Sequence, residues 1–531
     1  MRASTVFCLG VLLSLTVGSY AQPANLGHVD FPTSGKGEAQ EHFIRGVLLL
    51  HNFEYDDARE EFQAASKLQA DFAMAYWGEA LTQTHQVWVE QDASAGRAAL
   101  EKLGPTRQAR LAKAPTQREK DYLSAVELLY GDGDKISRDQ AYSDAMGRLA
   151  AKYPDDLEAA AFYAVALLGT CQGERRYDVY MRAAAVAEEI FAKNPQHPGA
   201  IHYLIHSYDD PVHAPLGLRP ARVYAQVAGG ASHAQHMPSH IFVALGMWKD
   251  VIAANQISAA VADERVKRKG LDPDSRNYHA LLWLEYGLLQ EGRYQDADRV
   301  LNDVAHSAAQ THSARALGHI AQFRAIYAVE TGKLAPLPES FDLAKTELAA
   351  NVSALTAEGF VHVAAGHLDE ARKLEQQAQA LLTEVVGPSG DGQSGAAGMM
   401  SMAHTTASPS DTKTAEIMIA QLQAVLLRAE GKKAEGLRLL AGTATSEDAL
   451  AYDFGPPVPV KPAHELYGEA LLEDGLPREA VKQFQLSLAR EPRRTLSLRG
   501  LAKAEASAGD KAAALRASDD LKSFWQGSPA E

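Results

Sequence analysis

Apolar and charged positions follow helical rather than strand periodicity along most of this chain. Ala, Leu, Glu and Gln dominate and β-branched alternation is scarce, so helices are predicted almost throughout. Small residues then recur in a fixed order. Gly46 precedes Ala58, Phe62 and Ala65, and Tyr76 and Ala80 follow. Gly292 precedes Tyr294, Ala297 and Leu301, and Gly332, Gly366 and Gly431 mark weaker turns. The last strong set is Gly468, Gly475, Ala480, Phe484 and Pro492, with a closing set of Ala502, Gly509 and Ala514. Each set reads as a small residue where two helices touch, a turn, and an apolar side chain filling the gap between helices.

The spacing supplies the repeat unit. His202 and His206 are followed 34 residues later by His236 and His240, and 34 residues is one helix–turn–helix unit of a known repeat class. Over residues 39–525 the chain resembles the tetratricopeptide repeat family. The resemblance implies an all-α fold of tetratricopeptide-like helix–turn–helix repeats wound into a right-handed superhelical solenoid. The chain is also similar to a set of exported bacterial repeat proteins, on His42-Phe43 with Gly46 and on the segment H-x-x-H-M-P-S-H-I-F from His233 to Phe242. That second resemblance implies fold and compartment, not a reaction.

The repeats organise the chain. Residues 1–21 read as a signal peptide: Arg2 is basic, Val6 to Val17 is mostly apolar but short for a bilayer span, and Ser19-Tyr20-Ala21 suits cleavage. Cys8 lacks the small residues that would mark a lipoprotein. Residues 22–38 are expected to be a flexible mature N-terminus, 39–386 an N-terminal array with an irregular histidine-rich segment at 197–246, and 413–525 C-terminal repeats with a cap. Residues 104–118 and 131–139 are expected to be loops. The Gly-, Ser- and Met-rich stretch 387–412 is expected to be a long loop or lid. Asp453 to Pro462, rich in proline, is expected to be extended and to deliver the chain to a helix near Ala463.

Charge and cysteine usage narrow the class. The formal charge is −15 with no basic run, which excludes a backbone-neutralising nucleic-acid binder. No later segment suits a membrane span. Cleavage leaves Cys171 without a disulfide partner, so packing must supply the stability. A periplasmic or secreted protein is expected.

Candidate chemistry concentrates in the histidines. Pro195 and Gly246 set the repeat register, which puts His202, His206, His236 and His240 at equivalent groove-facing positions. An i,i+4 pair shares one helical face, and packed neighbouring helices lie about 8–10 Å apart. The four imidazoles are thus candidates to share one transition metal ion: Zn, Cu, Fe or Ni. His233, Asp209 and Asp210 are further candidates for ligand contact, the aspartates as groups that orient a ring nitrogen and Asp210 as the first to test as a base. The same residues also fit structural histidines satisfied by hydrogen bonds. Pro238 breaks the pattern, because it is expected to open a helix and leave His236 on the preceding loop.

Weaker candidates lie elsewhere. His51 and His85 share the 34-residue interval but read as rim or capping residues, and His279 and His319 share a softer register. Glu465 and Glu469 would face the groove of the last strong repeat. Met399, Met400, Met402 and His404 resemble soft copper ligands within a loop. Trp77, Trp88, Trp248 and Trp283 read as helical core residues. No nucleophile elbow, phosphate loop or paired-cysteine zinc pattern occurs. The sequence supports a binding scaffold for a protein or peptide partner, or alternatively a metal-binding protein or metal-dependent enzyme using the histidines. It leaves open whether any reaction is catalysed.

Overall fold

Phe62 and Phe484 explain why small residues punctuate this chain. The Phe62 ring wedges between helices Glu38–His51 and Ala73–Leu81, where a Cβ on Gly46 or Gly78 would come within 2.7 or 2.4 Å of it. Near the other end, a Cβ on Gly500 would come within 2.2 Å of the Phe484 ring. Close-packed interiors tolerate no such overlap, so the same aromatic-on-glycine contact sets helix spacing at both ends of the array. Helices end where the backbone turns left-handed, as at Gly332 (φ 66°) and Gly509 (φ 94°).

The computed structural model describes residues 25–172, 174–335, 346–386 and 408–527. They form a right-handed superhelical solenoid of tetratricopeptide-like antiparallel helix pairs, running from Glu38–His51 to Lys511–Lys522. No helix among the described residues is long and apolar enough to cross a membrane. Residues 1–21, most of the 387–412 stretch, and Met399, Met400, Met402 and His404 lie outside the described residues.

Several local expectations change. Helix Arg107–Lys113 occupies the expected loop 104–118, started by the Thr106 hydroxyl accepting the Ala109 N–H. Asp134 likewise caps the helix from Lys135, inside the expected loop 131–139. Trp88 stands between the two short paired strands Thr84–His85 and Glu90–Gln91, not in a helix. The expected flexible N-terminus instead packs from residue 25 onward: Leu26, Val29 and Phe31 are buried, and His28 N–H donates to the Gln196 carbonyl at 2.8 Å. Apolar side chains outweigh chain entropy in that segment.

Distant repeats touch. Asp57 accepts from Arg265 and Lys269. Trp248 Nε1 donates to the Arg493 carbonyl at 3.1 Å, and Gln526 N–H to the Glu291 carbonyl at 2.8 Å. The C-terminal repeats therefore fold back onto residues 246–294. Asp453 to Pro462 is non-helical, as expected, and leads into helix Ala463–Glu473. It runs against the middle of the array, where a Cβ on Gly455 would lie 2.5 Å from Trp283.

Buried acids beside this seam carry a pH signature. Burial lifts the Glu491 carboxyl to about 8, despite the opposing pull of Arg494 and Arg490. The folded state then holds a proton that the unfolded state releases near the ordinary value of 4.5. This group therefore lowers stability progressively as pH rises from about 4.5 to about 8. Glu491→Gln removes the effect, so its urea midpoint is expected to rise relative to wild type between about pH 5 and pH 8. Wild-type and variant midpoints that stay parallel across that range would contradict the assignment.

Candidate metal centre

Six histidines meet inside the fold from four helices. His202 and His206 lie one turn apart on Pro198–Tyr208, a helix opened by Pro198 and capped by the His197 ring accepting the Ala200 N–H at 3.2 Å. His233 and His236 lie on the short helix Ser232–His236, and His240 on Pro238–Ala244. His279 follows the Asn277 cap of Tyr278–Gln290.

Pro238 does start a helix, but His236 is not on a loop. Met237 between the two helices is itself α-helical (φ −52°, ψ −37°), so the turn continues and the i,i+4 relation of His236 to His240 survives. Pro238 stands at a first position, where its missing N–H costs nothing.

The structure draws the four sequence-selected histidines into two sets rather than one. His236 and His240 join His279, while His202 and His206 join His233; within each trio the ligand nitrogens lie within 4.8 Å of one another. Each trio has two buried rings and one more accessible ring, His279 or His233.

Hydrogen bonds fix which ring nitrogens carry protons. Asn255 donates its amide to the Val251 carbonyl, so its oxygen is an acceptor facing His236 Nδ1 at 2.6 Å. Asp209 Oδ2 faces His240 Nδ1 at 3.1 Å. Both rings must therefore donate from Nδ1. Their Nε2 atoms then hold lone pairs, and these face each other at 3.1 Å. Burial depresses the basicity of both rings, taking His240 to about 4 although Asp209 pulls the other way. Two neutral imidazoles so arranged form no hydrogen bond with each other.

Aromatic walls hold the rings. Trp283 stacks on His240 with centroids 4.6 Å apart and meets His236 edge-on at 4.8 Å. Phe454, carried in by the extended segment, lies 4.7 Å from His240 and 6.0 Å from His206. Phe53 packs on His202 at 4.2 Å.

Asp209 is fully buried and lies under both sets. Its Oδ1 accepts from Arg175 at 2.5 Å, and its Oδ2 lies 3.4 Å from His206 Nδ1. Burial alone would raise this carboxyl, but Arg175 and the two imidazole donors hold it well below the usual range. Asp210, the sequence choice for a base, is occupied otherwise: it accepts from Arg175 and from the His213 ring and backbone N–H.

Glu465 and Glu469 sit apart, in an ionic cluster at the C-terminal seam. Arg494 grips both Glu465 oxygens at 2.8 and 3.0 Å, and Lys461 reaches Glu469 at 2.7 Å. His51 is no rim residue. It is fully buried, with Nε2 2.6 Å from Glu158 and Nδ1 2.8 Å from the Tyr203 hydroxyl. His197 Nε2 lies 3.1 Å from the other Glu158 oxygen. Neither of these two atoms makes a hydrogen bond, and His51, Glu158 and His197 form a further buried group with the donor types to hold an ion.

Sequence reasoning missed the groups that orient the rings. Asn255, Arg175 and the His51 carbonyl gave no repeat-spaced signal. His279 had only a soft register with His319, and Trp283 read simply as core.

No family model matches this chain. No curated protein matches it either. Among solved structures it is similar to yeast Tom70, with 14% identity over 89% of this chain and 96% of that one and a TM-score of 0.33. It is similar to the human IFIT1 dimer with m7Gppp-AAAA, with 12% identity over 93% of this chain and 91% of that one and a TM-score of 0.34. It is also similar to the P58(IPK) TPR domain, with 13% identity over 89% of this chain and 99% of that one and a TM-score of 0.23.

Proposed function

We propose that this chain is an exported helical-repeat metalloprotein that holds a transition metal ion on the Nε2 atoms of His236 and His240 and a ring nitrogen of His279. One observation carries the reading: the buried His236 and His240 rings, each committed through Nδ1 to an oxygen acceptor, aim bare Nε2 lone pairs at each other across 3.1 Å. Two such lone pairs repel, and a cation between them turns the repulsion into coordination. A metal about 2.1 Å from each nitrogen would space ligands about 3.0–3.4 Å apart at octahedral or tetrahedral angles, and the observed separation falls in that interval. Carboxylate or amide oxygen behind the ligating ring is also the usual support for a metal-bound histidine.

An all-nitrogen set suits Zn, Cu, Ni or Fe over Mg or Ca. His279 is exposed, so the ion would keep a face open to water or to an exogenous ligand. A bound ion of this kind supplies Lewis acidity and lowers the pKa of its water. The protein's part is to fix the imidazoles and exclude bulk water with Trp283 and Phe454.

Elemental analysis of the exported, cleaved protein tests this. At least one equivalent of transition metal per chain is expected, falling at least tenfold in His236→Ala and in His240→Ala. The same sample should begin at Gln22; an uncleaved N-terminus would count against export. A metal-free wild type would assign the nitrogen pair to a shared proton and end the metal reading. The second reading, a scaffold for a protein or peptide partner, is favoured by the repeat architecture and by the exposed apolar side chains Val212 and Leu216, which follow Asp210 in the chain. Metal-free protein indifferent to both substitutions would leave that reading alone standing.

A further inference from the structure

We infer that the centre is built for two ions, with His202, His206 and His233 forming a second three-nitrogen set beside the first. The inference rests on the metal reading above and extends it to a site with its own independent geometry.

The six rings do not share one focus. Their nitrogens gather as two all-histidine trios with no ring in common, joined by a third group in which Asp209 meets His206 and His240. In the second trio, His202 Nδ1 lies 2.7 Å from the His51 backbone carbonyl, which can only accept. The proton is therefore on Nδ1, and the Nε2 lone pair faces His233 Nε2 at 3.2 Å, free to accept from that ring or to bind a cation. His206 turns Nδ1 toward Asp209, and its Nε2 is buried with no hydrogen-bond partner at all. An orphaned buried nitrogen is costly unless something binds it. A cation bound by His202, His206 and His233 would take up the His202 lone pair and the orphaned His206 nitrogen together.

Asp209 links the two sets. Its Oδ2 faces the Nδ1 of one ring from each trio, His206 at 3.4 Å and His240 at 3.1 Å. A single carboxylate thus orients a ligand to each ion, and its negative charge lies between two cations that would otherwise repel. Arg175 on Oδ1 pins the carboxylate in that orientation. The more accessible rings, His233 and His279, put the open side of both sites toward solvent.

Metal-free mature protein loaded with Zn²⁺, freed of excess by gel filtration and analysed by mass spectrometry, tests the proposal. Wild type should hold two ions per chain, and His233→Ala and His279→Ala one each. Because alanine at either place could disturb folding, His233→Gln and His279→Gln should give the same counts, with circular dichroism melts of all metal-free proteins compared. Cu²⁺-loaded wild type should give a spin-coupled pair by electron paramagnetic resonance, and either single-trio variant an isolated Cu²⁺ signal. Asp209→Asn should weaken both ions about 10–100-fold. One Zn²⁺ in wild type that persists in His233→Ala overturns the second site and leaves the first reading intact. Two ions retained in His233→Ala also overturn it. No ion in any protein overturns both.

Discussion

Asp209→Ala is expected to cost about 3–5 kcal/mol of folding stability, in the range for breaking a buried ion pair, and to abolish retention of metal. Asp209 is fully buried, and its carboxylate is the acceptor for Arg175, for His240 and, at longer range, for His206. Alanine leaves the Arg175 guanidinium inside the protein with one carboxylate fewer, and Arg175 Nε already lacks a partner. Asp210 still accepts from Arg175 at 3.0 Å, which favours the lower end of the range. The two imidazoles lose the oxygen that fixes their proton on Nδ1, so their Nε2 lone pairs are no longer presented. Asparagine keeps an acceptor oxygen and should fall between alanine and wild type. Guanidinium unfolding of metal-free protein isolates the stability term, and elemental analysis reads the other. An alanine variant within about 0.5 kcal/mol of wild type, the size of an ordinary surface change, would remove Asp209 from the centre of this account.

Arg494→Met is expected to be the other large effect, again about 3–5 kcal/mol, and to loosen the cover over the histidines. Arg494 is fully buried between Glu465, gripped at both oxygens, and Glu330 at 2.5 Å, with the Tyr286 hydroxyl at 3.3 Å. Methionine preserves most of the volume and strands two carboxylates. Lys461, 2.9 Å from Glu465, offsets only one of them. The next residue ties the same point to the middle of the array: Thr495 N–H donates to the Gln290 side chain at 2.8 Å, and its hydroxyl to the Gln290 carbonyl at 2.6 Å. The C-terminal repeats sit on residues 246–294 through this seam, and the segment bearing Phe454 leads into them. Faster metal loss should therefore accompany the lower denaturation midpoint. The double variant Arg494→Met with Glu330→Gln should regain part of the stability, since it removes one stranded charge. A double variant no more stable than the single one would mean that packing, not charge, dominates at Arg494.

Much of the fold was legible in the chain because each repeat is built from local rules. Gly46, Ala58 and Phe62 specify a contact within one helix pair and its neighbour, so their spacing survives translation into structure. The loops were misread at 104–118 and 131–139 because Thr106 and Asp134 cap helices too short or too polar for an apolar stripe to reveal. His202, His206, His236 and His240 were legible as a group because i,i+4 spacing and the repeat length both act along the chain. Pro238 misled for a related reason: proline is costly in a helix interior but not at a first turn, and Met237 carries the helical path across the junction.

Sequence by itself determined the helical repeat class, the histidine-rich segment and the aromatic-on-small packing, since all three depend on neighbours within about one repeat. Tertiary structure alone decided that four histidines divide into two trios, that His233 and His279 complete them, and that Asp209 joins them. It also decided the tautomers, through Asn255 Oδ1 and the backbone carbonyl of His51, a residue 151 positions from the ring that the carbonyl holds. The His51 carbonyl reaches its ring only because the array brings distant turns together, and Asn255 reaches His236 only because a following helix packs across it. Hydrogen-bond direction depends on that through-space meeting, and no periodicity along the chain encodes it.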